Sequence, residues 1–236
     1  MATESAMTGD AAQAYRVLCD FCSTMLTESP SGELLGRLID QRELLLEEPF
    51  SAVALEAATG LHDLLASADK QGREDFETAV KRDYTYLFYM VGASHTSPFE
   101  SVYRTDDRTM FGPTTLEVRE AYRAWEVQVP EFGSTPDDHL GYEFAFLAHL
   151  LGAAADAQGV SEDDAAKRAF ADARTFLSDH VLVFARVYLK NVKARAREPF
   201  YRHVAGIAEA TVASLADALD ARAADEIDEA AYLLAR

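Results

Sequence analysis

The chain has 236 residues, 49% of them hydrophobic, which is enough for one large or two small domains with a sizeable core. Its 22 basic and 40 acidic side chains give a formal net charge of −18, which argues against nucleic acid as a partner because phosphates need a basic surface. No apolar run of about 18 residues predicts a transmembrane helix, and residues 1–10 lack the features of a secretory signal, so we expect a cytoplasmic protein.

Helical periodicity dominates the chain. In almost every segment the apolar residues recur with a period of about 3.6, and no alternating strand or hairpin turn signal interrupts them. The pattern therefore predicts an all-α fold. Helices or helical stripes are expected over approximately 10–27, 32–47, 50–68, 73–91, 114–129, 136–157, from 161, over 177–192, from 198, and over 226–234.

Two segments break this periodicity. Residues 92–113 contain Pro98, Gly112 and Pro113 and form a long irregular region, a feature that is often functional in compact domains. Residues 130–135 are the best candidate hinge. We accordingly expect two lobes within one family unit, an N-terminal helical lobe over 10–130 and a C-terminal helical lobe over 136–236.

The two cysteines, Cys19 and Cys22, have a C-x-x-C spacing. A zinc site would need two further ligands, and none is paired with them in the sequence. Both lie within a helical pattern, where a cysteine is usually a small buried apolar residue. We predict that they belong to the core.

The stretch 135–143 is typical of a helix start. Thr135 can cap the free amides, and Asp138 three residues later completes a capping box. Pro136 would occupy the first helical position, where its missing N–H costs nothing. Asp137 adds negative charge at the positive end of the helix dipole.

A helix cap does not explain His139, whose protonated form is disfavoured at that end of a dipole. Glu143 lies on the same face one turn later. No nucleotide-binding loop, nucleophile elbow or H-E-x-x-H motif is present, and we predict no metal site. A metal-dependent helical hydrolase using His139, Glu143 and His149 is the alternative of a different class; it would need further ligands.

Three patches in order carry a resemblance. The first is Y-T-Y-L-F at 84–88 followed by S-P-F-E-S-V-Y at 97–103, the second is T-P-D-D-H-L-G-Y-E at 135–143, and the third is F-L-x-x-H at 176–180 continuing to F-Y at 200–201. Together they resemble the TorD/DmsD/NarJ family of redox-enzyme maturation chaperones, which bind twin-arginine signal peptides. Two departures from the family pattern, Thr135 for the usual Glu and Phe184 for a common Trp, leave the subfamily open.

The resemblance implies a two-lobed, all-α, TorD-like protein that is not an enzyme and needs no cofactor. It implies binding of the twin-arginine signal peptide of a molybdenum-cofactor oxidoreductase, whose apo catalytic subunit is held during cofactor insertion before export, in anaerobic respiration. The P-x-D-H motif would lie at the junction of the lobes. A monomer or a domain-swapped dimer would both be compatible, and the client reductase is not specified.

The chemistry of such a partner nominates a site. The two guanidinium groups of the twin-arginine signal peptide pair well with carboxylates, and its apolar run requires a hydrophobic groove. The carboxylates would come from acidic residues of the first two patches, and the groove from aromatic residues around 84–103. The expected signal-peptide-binding residues are Tyr84, Phe88, Pro98, Phe99, Glu100, Tyr103, Pro136, Asp137, Asp138, His139 and Glu143.

Overall fold

The structure is a computed structural model, and it describes residues 7–89, 96–105, 107–130 and 135–233. The all-α prediction is confirmed: within these ranges there are helices and no strand. No helix among them is long and apolar enough to span a bilayer. The α-helices are α1 Gly9–Thr27, α2 Gly32–Asp40, α3 Phe50–Gln71, α4 Arg73–Tyr84, α5 Ser101–Arg104, α6 Pro113–Arg123, α7 Leu140–Gly159, α8 Asp163–Phe176, α9 Leu182–Arg195, α10 Pro199–Ala218 and α11 Glu229–Tyr232.

Two of the predicted helices end several residues earlier in the structure. The helix expected over 32–47 ends at Asp40 and is followed by a 3₁₀ turn, Arg42–Leu46. The helix expected over 114–129 ends at Arg123, because Glu126 adopts a left-handed backbone (φ 55°) that a helix cannot contain. Apolar spacing continues past these ends, which is why periodicity alone placed them too late.

Two π-helical segments occur where the first and third sequence patches lie. Thr85–Tyr89 continues α4, and Leu177–Val181 joins α8 to α9. A π turn contains an extra residue, so it rotates the following side chains relative to a regular α-helix, and such turns are frequent at functional sites. The predicted helix over 73–91 is helical as far as Tyr89, with a π-helical rather than an α-helical turn at 85–89. Residues 90 and 91 lie outside the described residues.

The core lies between long helices that pack side by side. α1 packs along α7 and also contacts α10, while α10 packs against α3 and α9. The predicted core stripe of the motif helix is confirmed: Leu140, Phe144, Leu147 and Leu151 are all fully buried. The α1–α7 packing joins residues on either side of the proposed hinge at 130–135, of which 131–134 lie outside the described residues. The division into two lobes stays a prediction.

The core assignment of the cysteines is confirmed. Cys19 and Cys22 are fully buried free thiols on the inner face of α1. Burial raises the pKa of Cys22 to about 12, so the reactive thiolate is strongly disfavoured. The C-x-x-C spacing here reflects one turn of a buried helical face.

Candidate functional site

The first two sequence patches meet through their backbones. The N–H of Glu100 donates to the carbonyl of Asp138 at 2.9 Å, and the N–H of Leu140 donates to the carbonyl of Pro98 at 2.9 Å. Phe99 and His139 consequently pair in an isolated antiparallel β-bridge. Segments that are distant in sequence therefore form one junction at the start of α7.

Asp138 fixes this junction with its side chain. One carboxylate oxygen accepts the Ser101 N–H at 2.7 Å, and the other accepts the Thr115 hydroxyl at 2.8 Å. Asp138 is fully buried. It therefore links the start of α5 and the first turn of α6 to the segment just before α7.

The predicted capping box is wrong. α7 begins at Leu140, and its N-cap is His139, whose Nδ1 accepts the Gly141 N–H at 3.0 Å. Pro136 therefore lies before the helix, not in its first turn, and Asp138 bonds to Ser101 and Thr115 instead of reaching back to Thr135. The local sequence fits a cap four residues earlier equally well, and the pairing of 98–100 with 138–140 decides between them.

His139 is held neutral. Burial lowers its pKa to about 4, and the accepting role of Nδ1 requires an unprotonated nitrogen at that position. The Phe99 ring meets the imidazole edge-on at 5.2 Å between centroids, and the Tyr142 ring lies 5.3 Å away. The imidazole thus acts as a cap enclosed by aromatic rings.

Asp137 is engaged within the protein. Its carboxylate oxygen Oδ2 accepts from Arg119 Nη2 at 2.6 Å and from Nε at 3.0 Å, and its own carbonyl accepts the Tyr122 hydroxyl at 3.2 Å. These three bonds hold the motif segment against α6. Arg119 was missed by the sequence interpretation, and no spacing rule links it to Asp137.

Glu100 links the first patch to the third. It is fully buried and binds Arg104 at 2.7 Å and His180 Nδ1 at 2.9 Å. Arg104 also donates to the carbonyl of Asp179 at 3.0 Å. Sequence reasoning missed Arg104 as a partner, although its i+4 spacing from Glu100 is a readable signal, and His180 stands in the F-L-x-x-H patch.

Glu143 is enclosed beside these groups. It is fully buried, and neither carboxylate oxygen has a hydrogen-bond partner among the described residues. Burial raises its pKa well above the usual range, and the neighbouring carboxylates of Glu100 and Asp138 raise it further. Burial and these neighbours therefore favour the protonated form of the Glu143 carboxyl.

The aromatic residues of the first patch pack against different neighbours. Tyr84 donates its hydroxyl to the Thr27 carbonyl at 3.1 Å and lies 4.9 Å from the half-buried ring of Phe88. Tyr103 is buried and bonds to the Ser97 carbonyl at 2.8 Å. Tyr84 and Phe88 pack against Tyr201 of α10, at 5.9 and 5.6 Å between ring centroids. Tyr103 faces Phe184 of α9, and Phe99 lies against His139 at the junction.

An open cleft of about 550 Å³ adjoins the junction. Its walls are the end of α1 with the turn into α2, the segment 127–130, and one face of α7 bearing Tyr142 and Phe146. Thr27 belongs to this wall and accepts the Tyr84 hydroxyl through its carbonyl, so Tyr84 lies directly behind the cleft wall. Glu28 stands exposed among its lining residues.

The metal-dependent hydrolase alternative lacks a ligand set. His139 uses Nδ1 in the helix cap, and His149 is exposed beside Phe146 and Trp125. Across 7–89, 96–105, 107–130 and 135–233, no three His, Cys, Asp or Glu side chains are grouped so that they could hold a metal ion.

The fold and the site define a class of all-α protein in which three separated sequence patches build one buried polar junction beside an open, largely apolar cleft. The sequence profile of the family described as "Nitrate reductase delta subunit" matches residues 47–188. The chain belongs to this family, that of the TorD/DmsD/NarJ redox-enzyme maturation chaperones.

Curated relatives support the same assignment. "Chaperone protein TorD" from Vibrio cholerae serotype O1, El Tor Inaba strain, is 31% identical over 114 residues, which are 48% of this chain and 50% of that protein. The protein of the same name from the Classical Ogawa strain has the same identity and coverage. The chain therefore spans about half the length of the curated relatives it matches. The family is one of non-enzymatic chaperones.

Proposed function

We propose that this chain is a cytoplasmic chaperone that binds the twin-arginine signal peptide of a molybdenum-cofactor oxidoreductase and holds the apo catalytic subunit for cofactor insertion before export. Membership of a redox-enzyme maturation family supports the general role. The observation that carries the specific proposal is the open cleft beside the junction, with an exposed carboxylate at its edge.

The apolar part of a signal peptide suits this cleft. Leu34, Val129 and Phe146 contribute apolar side chains, and Tyr142 presents a half-buried ring. A volume of about 550 Å³ lies within the range typical of ligand pockets. Apolar surface buried there would contribute roughly 25 cal/mol per Å². A short helical apolar segment is thus a suitable occupant.

The guanidinium groups need a carboxylate that is free to bind them. Glu28 is exposed at the end of α1 and forms no ion pair with any described residue. Guanidinium binds a carboxylate through two parallel N–H donors, a geometry that lysine cannot reproduce. In this proposal Glu28 receives one arginine.

The residues nominated from sequence then have a supporting role. Asp137, Asp138 and Glu100 already bond to partners inside the protein, and Glu143 is enclosed, so in this conformation they hold the junction. Pro98 and Pro136 are buried in the segments that form it. Direct pairing of these four carboxylates with the client's arginines stays a prediction. The experiment below separates it from pairing with Glu28.

Titration calorimetry of a twin-arginine signal peptide against the purified chain tests the proposal. Glu28→Gln should weaken binding roughly fivefold, the effect of losing a partly exposed ion pair, and a twin-lysine peptide should bind more weakly than the twin-arginine one. Glu56→Gln, a change of an exposed carboxylate on α3 outside the cleft, is the matched control and should leave affinity unchanged.

Two results would redirect the proposal. Loss of affinity in Asp138→Asn, measured at a temperature where circular dichroism shows that this variant is still folded, with Glu28→Gln normal, would transfer arginine recognition to the junction. The absence of saturable binding to the wild-type chain would end the signal-peptide proposal.

A further inference from the structure

The C-terminal segment 222–233 lies across the surface formed by α5, the residues after it, and α9. Its backbone is tied at one end, where the Ala224 N–H donates to the Ser178 carbonyl at 2.9 Å. Nearby, Asp225 lies 3.6 Å from Arg104, the residue that also binds Glu100. The segment therefore begins its path at the edge of the junction.

The carboxylate of Glu229 meets two cations of α9. Lys190 approaches it at 3.1 Å and Arg186 at 3.6 Å. Next to them, the Asn191 side-chain amide donates to the Tyr232 carbonyl at 2.9 Å. Side chains of α9 thus contact both a charge and a backbone carbonyl of the tail.

The Tyr232 ring contacts both an aromatic ring and a cation. Its ring centroid lies 5.2 Å from that of the buried Tyr103, and the Arg108 guanidinium carbon lies 4.7 Å from the same Tyr232 centroid. Arg108 also donates to the Ala231 carbonyl at 2.8 Å. A cation over an aromatic face contributes favourably even at exposed sites.

This contact pattern is that of peptide recognition. Cations bind an acidic side chain, an aromatic stack and a cation hold a ring, and side-chain donors satisfy backbone carbonyls. The tail has no fully buried residue: α11 has only four residues, none of them buried, and Ile227 and Tyr232 are only partly buried against the core. A helix that short has no stability of its own in water, and exposed ion pairs each contribute little, so the tail is held in place only weakly.

We propose that this surface, composed of Tyr103, Arg104, Arg108, Arg186, Lys190 and Asn191, is a second peptide-binding site, occupied in this structure by the chain's own tail. Its ligand class is an acidic segment in which a carboxylate precedes an aromatic residue by three positions, as Glu229 precedes Tyr232. A segment of the client with that chemistry displaces the tail. A cationic twin-arginine segment would be repelled by the same basic residues, so the site is distinct from the cleft, and the proposal does not depend on signal-peptide binding.

Fluorescence anisotropy with a labelled peptide of residues 222–233 tests this on the full chain. In the wild type the tethered tail competes at a high effective concentration. Glu229→Lys in the protein weakens that competitor, so the variant should bind the wild-type peptide at least tenfold more tightly than the wild-type protein does. A peptide carrying the Glu229→Lys change should not bind either protein.

The matched control is Glu226→Lys, which makes the same charge change in the tail at an exposed side chain. It should behave as wild type. Two results would overturn the proposal: no saturable binding of the peptide to the Glu229→Lys protein, or equal affinity for this variant and the wild type. Tyr232→Ala provides a second tail-releasing variant and should reproduce the gain in affinity.

Discussion

Asp138 and Ser101 are joined by a buried hydrogen bond of 2.7 Å across 37 residues of sequence. The donor is the backbone N–H at the start of α5, and the second carboxylate oxygen takes the Thr115 hydroxyl at 2.8 Å. A single side chain therefore closes the irregular region between α4 and α6 onto the motif that precedes α7. The stability of the junction should depend on it.

Asp138→Asn should destabilise the fold by about 2–3 kcal/mol. An amide has one accepting oxygen; if that oxygen keeps the Ser101 N–H, the Thr115 hydroxyl must reverse and accept from the amide N–H. Two hydrogen bonds to a carboxylate then become weaker neutral ones. This exceeds the ~1 kcal/mol that a helix cap alone would cost. Urea unfolding measures it, with the exposed Asp156→Asn on α7 as a neutral control.

Thr115→Val tests the same contact from the other side. Alone it should lower the free energy of unfolding by about 1 kcal/mol. The double variant with Asp138→Asn should lose less than the sum of the two single changes, because both changes act on the same Asp138–Thr115 hydrogen bond. Strict additivity would show that the two side chains act independently.

His139 should make the wild type lose stability on acidification. Its folded pKa of about 4 lies below the unfolded value of roughly 6.5, so the unfolded chain binds more protons between those limits. The contribution is fully present above about pH 6.5 and falls as pH drops toward 4, by on the order of 3 kcal/mol.

His139→Asn is the variant that isolates this effect. Asparagine retains a cap acceptor but does not titrate. We expect the free energy of unfolding of the wild type to decrease relative to that of His139→Asn as the pH falls from 6.5 to 4. Urea unfolding of both proteins at several pH values measures this difference. A difference independent of pH would mean that the imidazole titrates normally in the folded protein.

Glu143 should act in the opposite direction. Its folded pKa is raised, so the folded chain retains a proton that the unfolded chain has lost, and stability falls as pH rises above the unfolded value of roughly 4.3. Glu143→Gln removes the ionisation. Thermal melts between pH 5 and 8 should show a smaller decline for this variant than for wild type, and a greater decline would contradict the assignment of a neutral buried acid.

Gly141→Ala should destabilise the α1–α7 contact by about 1–3 kcal/mol. A Cβ there would overlap the Thr27 hydroxyl and come within 3.1 Å of the Thr27 backbone nitrogen, which cannot move aside easily. Gly159→Ala, at the other end of α7, meets no atom within 4 Å and should be neutral or slightly stabilising. Equal melting temperatures for the two variants would rule out a close α1–α7 approach.

The sequence by itself determined the helices and the faces they bury. The stripe Leu140, Phe144, Leu147 and Leu151 and the burial of the cysteines follow from local periodicity, because a buried face repeats with the turn of the helix that carries it. The three patches in order also identified the family. These properties depend on residues a few positions apart, which a sequence displays directly.

Only the tertiary structure decided what the motif residues do. The start of α7 depends on the pairing of 98–100 with 138–140, and the role of Asp138 depends on Ser101 and Thr115, none of which is near it in sequence. Likewise, the contact of Tyr232 with Tyr103 joins positions more than a hundred residues apart. A hydrogen bond or a ring contact requires atoms within a few ångströms, and long-range chain packing alone brings such residues together.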